Sequence, residues 1–235
     1  INWELVKQKI NSRTKMIIIN TPQNPSGRIF SKSDMLKLQE ITKGTNILVL
    51  SDEVYEHIIF DNEKHQSACL FPDLKSRSLV VASFGKTFHN TGWKTGYCCA
   101  PKELTEEFRK VHQFNVFCVN HPVQKGLGEY LKEPSHYLEL SQFYQEKRDL
   151  FLSLIKPSRF KFTPSKGTYF QVLDYSEITA ENDVEFAKRL VIESGIAAIP
   201  LSVFNSHNLD NKVLRFCFAK TNDTLKEAAE ILNAI

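Results

Sequence analysis

Three short apolar runs, Met16-Ile17-Ile18-Ile19, Ile47-Leu48-Val49-Leu50 and Leu79-Val80-Val81-Ala82, each break off into a polar cluster. Aliphatic runs this short, bounded by turn-forming residues, read as buried parallel strands. Between the first two, residues 33–43 carry Met35, Leu36, Leu38 and Ile41 on a helix-length amphipathic stretch, so the chain opens with a strand–helix–strand unit. In open α/β sheets, ligands bind just past the carboxyl ends of the strands. Asn24, Asp52 and Lys86 all fall in that zone. One polar turn would be an ordinary turn; three at successive strand ends point to a site.

Lys86 is the most informative of the three. It lies in Ser83-Phe84-Gly85-Lys86-Thr87, directly after the third run. Packing explains a lysine there badly, whereas an amine that must reach a cofactor carbonyl explains it well. Gly85-Lys86-Thr87 also matches the end of a phosphate-binding P-loop, but that loop needs a further glycine upstream. Val80 and Val81 occupy the required place, which argues against nucleotide hydrolysis.

The Asn24-Pro25-Ser26-Gly27, Asp52-Glu53-Val54-Tyr55 and Ser83-Phe84-Gly85-Lys86-Thr87 segments, with Leu214-Arg215-Phe216-Cys217-Phe218 near the end, resemble in kind and order the motifs of the class I/II aminotransferases, pyridoxal-phosphate enzymes of fold type I. Gly92-Trp93-Lys94, Gly167-Thr168-Tyr169-Phe170 and residues 198–204 resemble the branch of kynurenine, glutamine and methionine aminotransferases. The resemblance implies an α/β fold: part of a large cofactor domain with a mostly parallel sheet and flanking helices, then a smaller α+β domain. It implies transamination between an apolar, sulfur-containing or aromatic, methionine-like amino acid and a 2-oxo acid. A carbon–sulfur β-lyase with the same cofactor, or a non-catalytic binding module, are the alternatives.

It also implies residue roles. Lys86 would carry pyridoxal 5'-phosphate as an imine and move the substrate's α-proton. Asp52 would pair with the ring nitrogen, Asn24 and Tyr55 with the phenolic oxygen, and Ser83 and Lys94 with the phosphate. Arg215 would grip the substrate carboxylate, with Asn24 nearby. Many relatives have arginine where this chain has Lys94, and lysine lacks the planar fork. The Asn24-Pro25 peptide is expected to be cis. The resemblance further implies a homodimer, and a chain that is the C-terminal portion of a longer enzyme and not competent alone. The exact donor and acceptor stay open.

A chain of 235 residues can hold two domains. The division expected is 1–133 for the large domain, 134–156 for a bridging helix, continuous over 136–155, and 157–235 for the small domain, with strands at 160–162, 168–173, 196–199 and 213–218, a helix over 184–193 ended by Gly195 and a closing helix over 221–235. A net charge of +3 gives no argument for nucleic acid or an anionic membrane, and no apolar run reaches membrane-spanning length. Cys69, Cys98, Cys99, Cys118 and Cys217 show no metal-ligand spacing. No metal site is expected, and the thiols read as buried and free in a reducing cytoplasm.

Overall fold

The computed structural model describes residues 1–235, which divide into two compact units. The first comprises residues 1–22, 29–57 and 64–140, the second residues 23–28, 58–63 and 141–235.

The first unit contains α1 (Trp3–Lys9), β1 (Met16–Asn20), α2 (Lys32–Thr42), β2 (Leu48–Asp52), α3 (Pro72–Lys75), β3 (Ser78–Ser83), α4 (Phe84–Thr87), β4 (Gly96–Cys99), α5 (Lys102–Asn115), α6 (His121–Tyr130) and α7 (Ser135–Leu138). Its sheet runs β1-β2-β3-β4. The first three strands are parallel and β4 is antiparallel to β3, giving a mixed sheet. α2 begins where Ser31 and Asp34 close a reciprocal capping box, satisfying backbone donors that the first turn leaves open. Its Met35 and Leu38 are fully buried and pack with Ile19, Val49 and Val80, each such side chain contributing about 1.5–3 kcal/mol.

That packing uses one sheet face only. Ile18, pointing the other way, is 69% exposed, because successive strand residues face opposite sides. The expectation of a fully buried first strand is therefore corrected: β1 lies at the sheet edge and buries one side. The cysteines need the same correction. Cys69, Cys99 and Cys118 are exposed and Cys98 and Cys217 half-buried; β4, which carries two of them, is the other edge strand. All five are free thiols, as expected.

The second unit takes almost all of α8 (Leu140–Ile155), then β5 (Phe170–Asp174), α9 (Asp183–Ser194), β6 (Ile199–Pro200), β7 (Val213–Cys217) and α10 (Asn222–Ala234). Its sheet has the order β5-β7-β6 and is antiparallel. α9 ends at Gly195, whose φ of 69° suits a residue without a Cβ. Fully buried Phe186 and Tyr175 meet with ring centroids 4.6 Å apart, and Phe160 contacts both Phe186 and Phe216.

Three sequence expectations change here. A continuous helix over 136–155 is interrupted at Glu139, whose ψ of −8° is far from the helical value. The strand expected at 160–162 reduces to one bridge between Lys161 and Asp174, with Pro164 close behind to limit pairing. The strand expected at 196–199 reduces to Ile199–Pro200, which pair with Arg215 and Leu214 of β7.

Candidate active site

In the first unit the parallel register sets Asp52, the last residue of β2, between Asn20 of β1 and Val81 of β3. Asn20 Nδ2 and the Thr21 amide both donate to Asp52 O at 3.0 Å, which fixes the end of the strand. The Asp52 carboxylate is half-buried, and burial pushes its pKa up against the opposing effects of the Val54 amide and the Lys86 charge. Lys86 follows β3, on the neighbouring strand, within electrostatic reach of Asp52. Tyr55 is buried, 2% exposed, on the turn after β2.

Ser83 ends β3 opposite Gly96 of β4. Thr87 Oγ1 donates to Ser83 O at 3.2 Å, and Thr91 Oγ1 to Gly85 O at 3.0 Å. A Cβ on Gly85 would lie 2.8 Å from Thr91 Cα, so the turn holding Lys86 is folded tightly against the following segment. That segment delivers Lys94 in the left-handed region at φ 54°, an unusual conformation for lysine. The Lys94 side chain is exposed.

The second unit carries Asn24 and Arg215. Arg215 sits on β7, the central strand of its sheet. Its Nη1 donates to Asn24 Oδ1 at 2.5 Å, and its guanidinium carbon lies 4.0 Å from the centroid of the Phe170 ring. The Asn24-Pro25 peptide is cis, as is Thr21-Pro22. Gly27 keeps this segment in place: its φ is +66°, its carbonyl accepts from the Lys166 and Gly167 amides, and a Cβ there would come 2.6 Å from Ser165 Cβ.

Several groups that build these surroundings were not found in the sequence. Glu53, 1% exposed, accepts from Ser51 Oγ at 2.7 Å and the Ala68 amide at 3.0 Å, and pairs with His65 Nε2 at 2.6 Å. Glu56 accepts from the Tyr97 hydroxyl. In the second unit, buried Arg148 pairs with Asp61 at 2.7 Å and donates to Ser165 O at 2.7 Å. The available signal for Arg148 was an arginine within the apolar stripe Tyr144, Phe151, Leu152, Ile155 of α8. His65, in a polar loop, gave none.

The donor set of the first unit suits pyridoxal phosphate: a half-buried carboxylate for a ring N–H, an amine beside it for an aldehyde, and a hydroxyl with a cationic side chain for a phosphate. The profile of the family Aminotransferase class I and II matches residues 1–232. The chain is 45% identical to methionine aminotransferase of Escherichia coli K12, over all of this chain and 61% of that protein. It is 31% identical to a kynurenine–oxoglutarate transaminase of Dictyostelium discoideum, over 98% of this chain and 60% of the relative. The chain thus spans about three fifths of the length of these relatives. A solved Escherichia coli structure, described as identifying a methionine aminotransferase function, superposes with a TM-score of 0.97 at 45% identity, over 100% of this chain and 62% of that one. N-succinyldiaminopimelate aminotransferase from Mycobacterium tuberculosis superposes with a TM-score of 0.94 at 31% identity and the same coverages. With an α/β fold shared with these enzymes and a family profile matched across nearly its whole length, the chain belongs to the aminotransferase class I and II family.

Proposed function

We propose that this chain carries the reacting lysine and the substrate clamp of a transaminase acting on a methionine-like amino acid and a 2-oxo acid. The observation that carries the reading is Asp52 at the end of β2 and Lys86 just past the end of the adjacent parallel β3, near enough for the lysine charge to act on the Asp52 carboxyl. Class I and II aminotransferases use pyridoxal phosphate. When bound, that cofactor supplies an aldehyde that takes up the amino group and a ring that accepts the electron pair released at the substrate α-carbon.

The protein's part follows from its groups. Asp52, as carboxylate, holds the proton on the ring nitrogen by charge pairing. Lys86 Nζ would hold the aldehyde and, once the substrate's amine has displaced it and left it a free amine, would take the proton from the substrate α-carbon. The Tyr55 hydroxyl and the Asn24 amide donate to the phenolic oxygen. Ser83 and Lys94 bind the phosphate, Lys94 as a point charge. Arg215 binds the α-carboxylate through parallel hydrogen bonds. The methionine-like preference rests on the likeness to the Escherichia coli enzyme.

The reading extends to a homodimer in the cytoplasm. The exposed apolar stripe of α5, with Phe108, Val111 and Phe114, supports a subunit contact, and five free cysteines suit a reducing compartment. The decisive experiment is borohydride reduction of the cofactor-loaded protein followed by peptide mapping. The label is expected on Lys86; a label on Lys94 instead overturns the assignment.

A further inference from the structure

The buried carboxylate next to Asp52 has no role in the chemistry above, yet it is more completely held than Asp52 itself. Glu53 Oε1 takes the Ser51 hydroxyl and the Ala68 amide, and Oε2 faces His65 Nε2. Its backbone amide donates to Val81 O at 2.8 Å on β3. One residue therefore ties the end of β2 to β3 and to the 65–68 segment, and Asp52 is its immediate neighbour. His65 Nδ1 is buried with no hydrogen-bond partner, which assigns the proton to Nε2, pointing at Glu53. Glu53, Glu56 and His65 bring ligand atoms within 4.8 Å of one another. Both Glu53 oxygens are already engaged by protein donors, so the cluster is knit internally rather than open to a cation.

We propose that Glu53 and His65 form a positioning pair for Asp52: the buried carboxylate, held by the imidazole, fixes where the Asp52 side chain starts, and its charge adds to the hold of Asp52 on a cationic ring nitrogen. This rests on the assignment of Asp52 to that nitrogen. Hydrogen bonding from His65, the Ala68 amide and Ser51 keeps the Glu53 carboxyl below its ordinary range despite burial, and the Glu53 charge raises the pKa of Asp52. Other charged or titratable groups around the pair are Glu56 and His57 on the same turn, Tyr97 and Cys99 on β4, and Lys86 facing Asp52. The Glu53 charge bears on Asp52 and adds to the attraction for a cationic ring nitrogen.

The test uses the full-length protein and four forms: wild type, Glu53→Gln, His65→Gln and Asp52→Asn. Three quantities are read: the dissociation constant of pyridoxal phosphate by fluorescence quenching, the pH midpoint of the bound cofactor's visible absorbance transition, and the melting temperature without cofactor. Glu53→Gln keeps the shape and an acceptor for Ser51 and Ala68 but removes the charge. It is expected to weaken cofactor binding roughly three- to tenfold and to lower the absorbance midpoint by about half a unit to one unit. His65→Gln, which keeps a donor on a less buried side chain, is expected to weaken cofactor binding less than Glu53→Gln does while leaving the melting temperature near that of wild type. If Glu53→Gln and His65→Gln change only melting temperature, with midpoint and affinity as in wild type, the pair is merely structural and the proposal falls. If Asp52→Asn itself leaves affinity and midpoint unchanged, the assignment of Asp52 fails instead, and the two failures are told apart.

Discussion

Replacing Arg215 with lysine separates a positioned guanidinium from a mere positive charge. On β7 the guanidinium is held from two sides, by the 2.5 Å bond to Asn24 Oδ1 and by the Phe170 ring 4.0 Å from its central carbon. Those contacts orient the planar fork before any carboxylate arrives. Lysine keeps the charge but loses the fork and the ring stacking. Losing one charged hydrogen bond to substrate costs about 1.5–3 kcal/mol, and losing the cation–π contact at a part-exposed site about 0.5–1 kcal/mol. The sum, about 2–4 kcal/mol, is a fall in kcat/KM of roughly thirtyfold to a thousandfold. Phe170→Leu removes the ring under the guanidinium, together with its contact to Tyr169, and the lost cation–π contact should cost roughly two- to fivefold in kcat/KM. The assay is steady-state transamination of methionine by the full-length protein, with melting temperature measured alongside. Arg215→Lys within twofold of wild type would refute the clamp, because no reading in which Arg215 binds the carboxylate bidentately tolerates that substitution.

Gly96→Ala and Gly92→Ala make a matched pair in the first unit. A Cβ at Gly96 would sit 2.4 Å from Ala82 O, a backbone atom that cannot swing away, whereas nothing lies within 4 Å of one at Gly92. Gly96→Ala should cost about 1–3 kcal/mol and weaken cofactor binding through Ser83, its cross-strand partner; thermal melting and cofactor titration should show Gly92→Ala near wild type in both. The Arg148–Asp61 pair should make the second unit acid-sensitive. Hydrogen bonding from Arg148 first, then Lys166, lowers the Asp61 pKa to about 2. Its folded-state pKa is depressed, so the contribution is full above the unfolded value near 3.8 and disappears as pH falls towards 2. Asp61→Asn should therefore be less stable than wild type at pH 7 and converge with it by about pH 2 in acid-unfolding curves followed by circular dichroism. Arg148→Met strands Asp61 and the Ser165 carbonyl and should cost more than Asp61→Asn in the same measurement.

What could be read from the sequence was what local pattern dictates. The apolar runs at 16–19, 47–50 and 79–82 became β1, β2 and β3 within a residue or two, since a strand's apolar content and its polar exit lie in consecutive residues. The end of α9 was legible in the same way, from Gly195 directly after it. The misses share a cause. Whether β1 is covered on one face or two depends on neighbours in the sheet, and Ile18 carries no mark of its own. The pairings at Lys161 and Ile199 are shortened for the same reason: how far a strand pairs is decided by the strand across from it, and its own apolar residues do not show that.

The same distinction runs through the candidate site. Asp52 and Ser83 were legible because each ends a strand, and Lys86 because it follows one by three residues, so a one-dimensional pattern placed them at one end of one sheet before any register was known. The 32 residues between Asn20 and Asp52, which the structure bonds side chain to backbone, already lie beyond such a pattern. Glu53 sat inside a motif and read as one letter of it. Only its burial, with an imidazole 2.6 Å away contributed from position 65, shows that it anchors the turn. A buried carboxylate without partners would shed its charge, so the partners had to exist, and the sequence could not say where. The physical order is therefore the reverse of the order of discovery. The groups hardest to see hold what the easily read ones depend on: Glu53 with His65 fixes the segment after Asp52, and Arg148 with Asp61 holds Ser165, next to the residues whose amides bond Gly27 beyond Asn24.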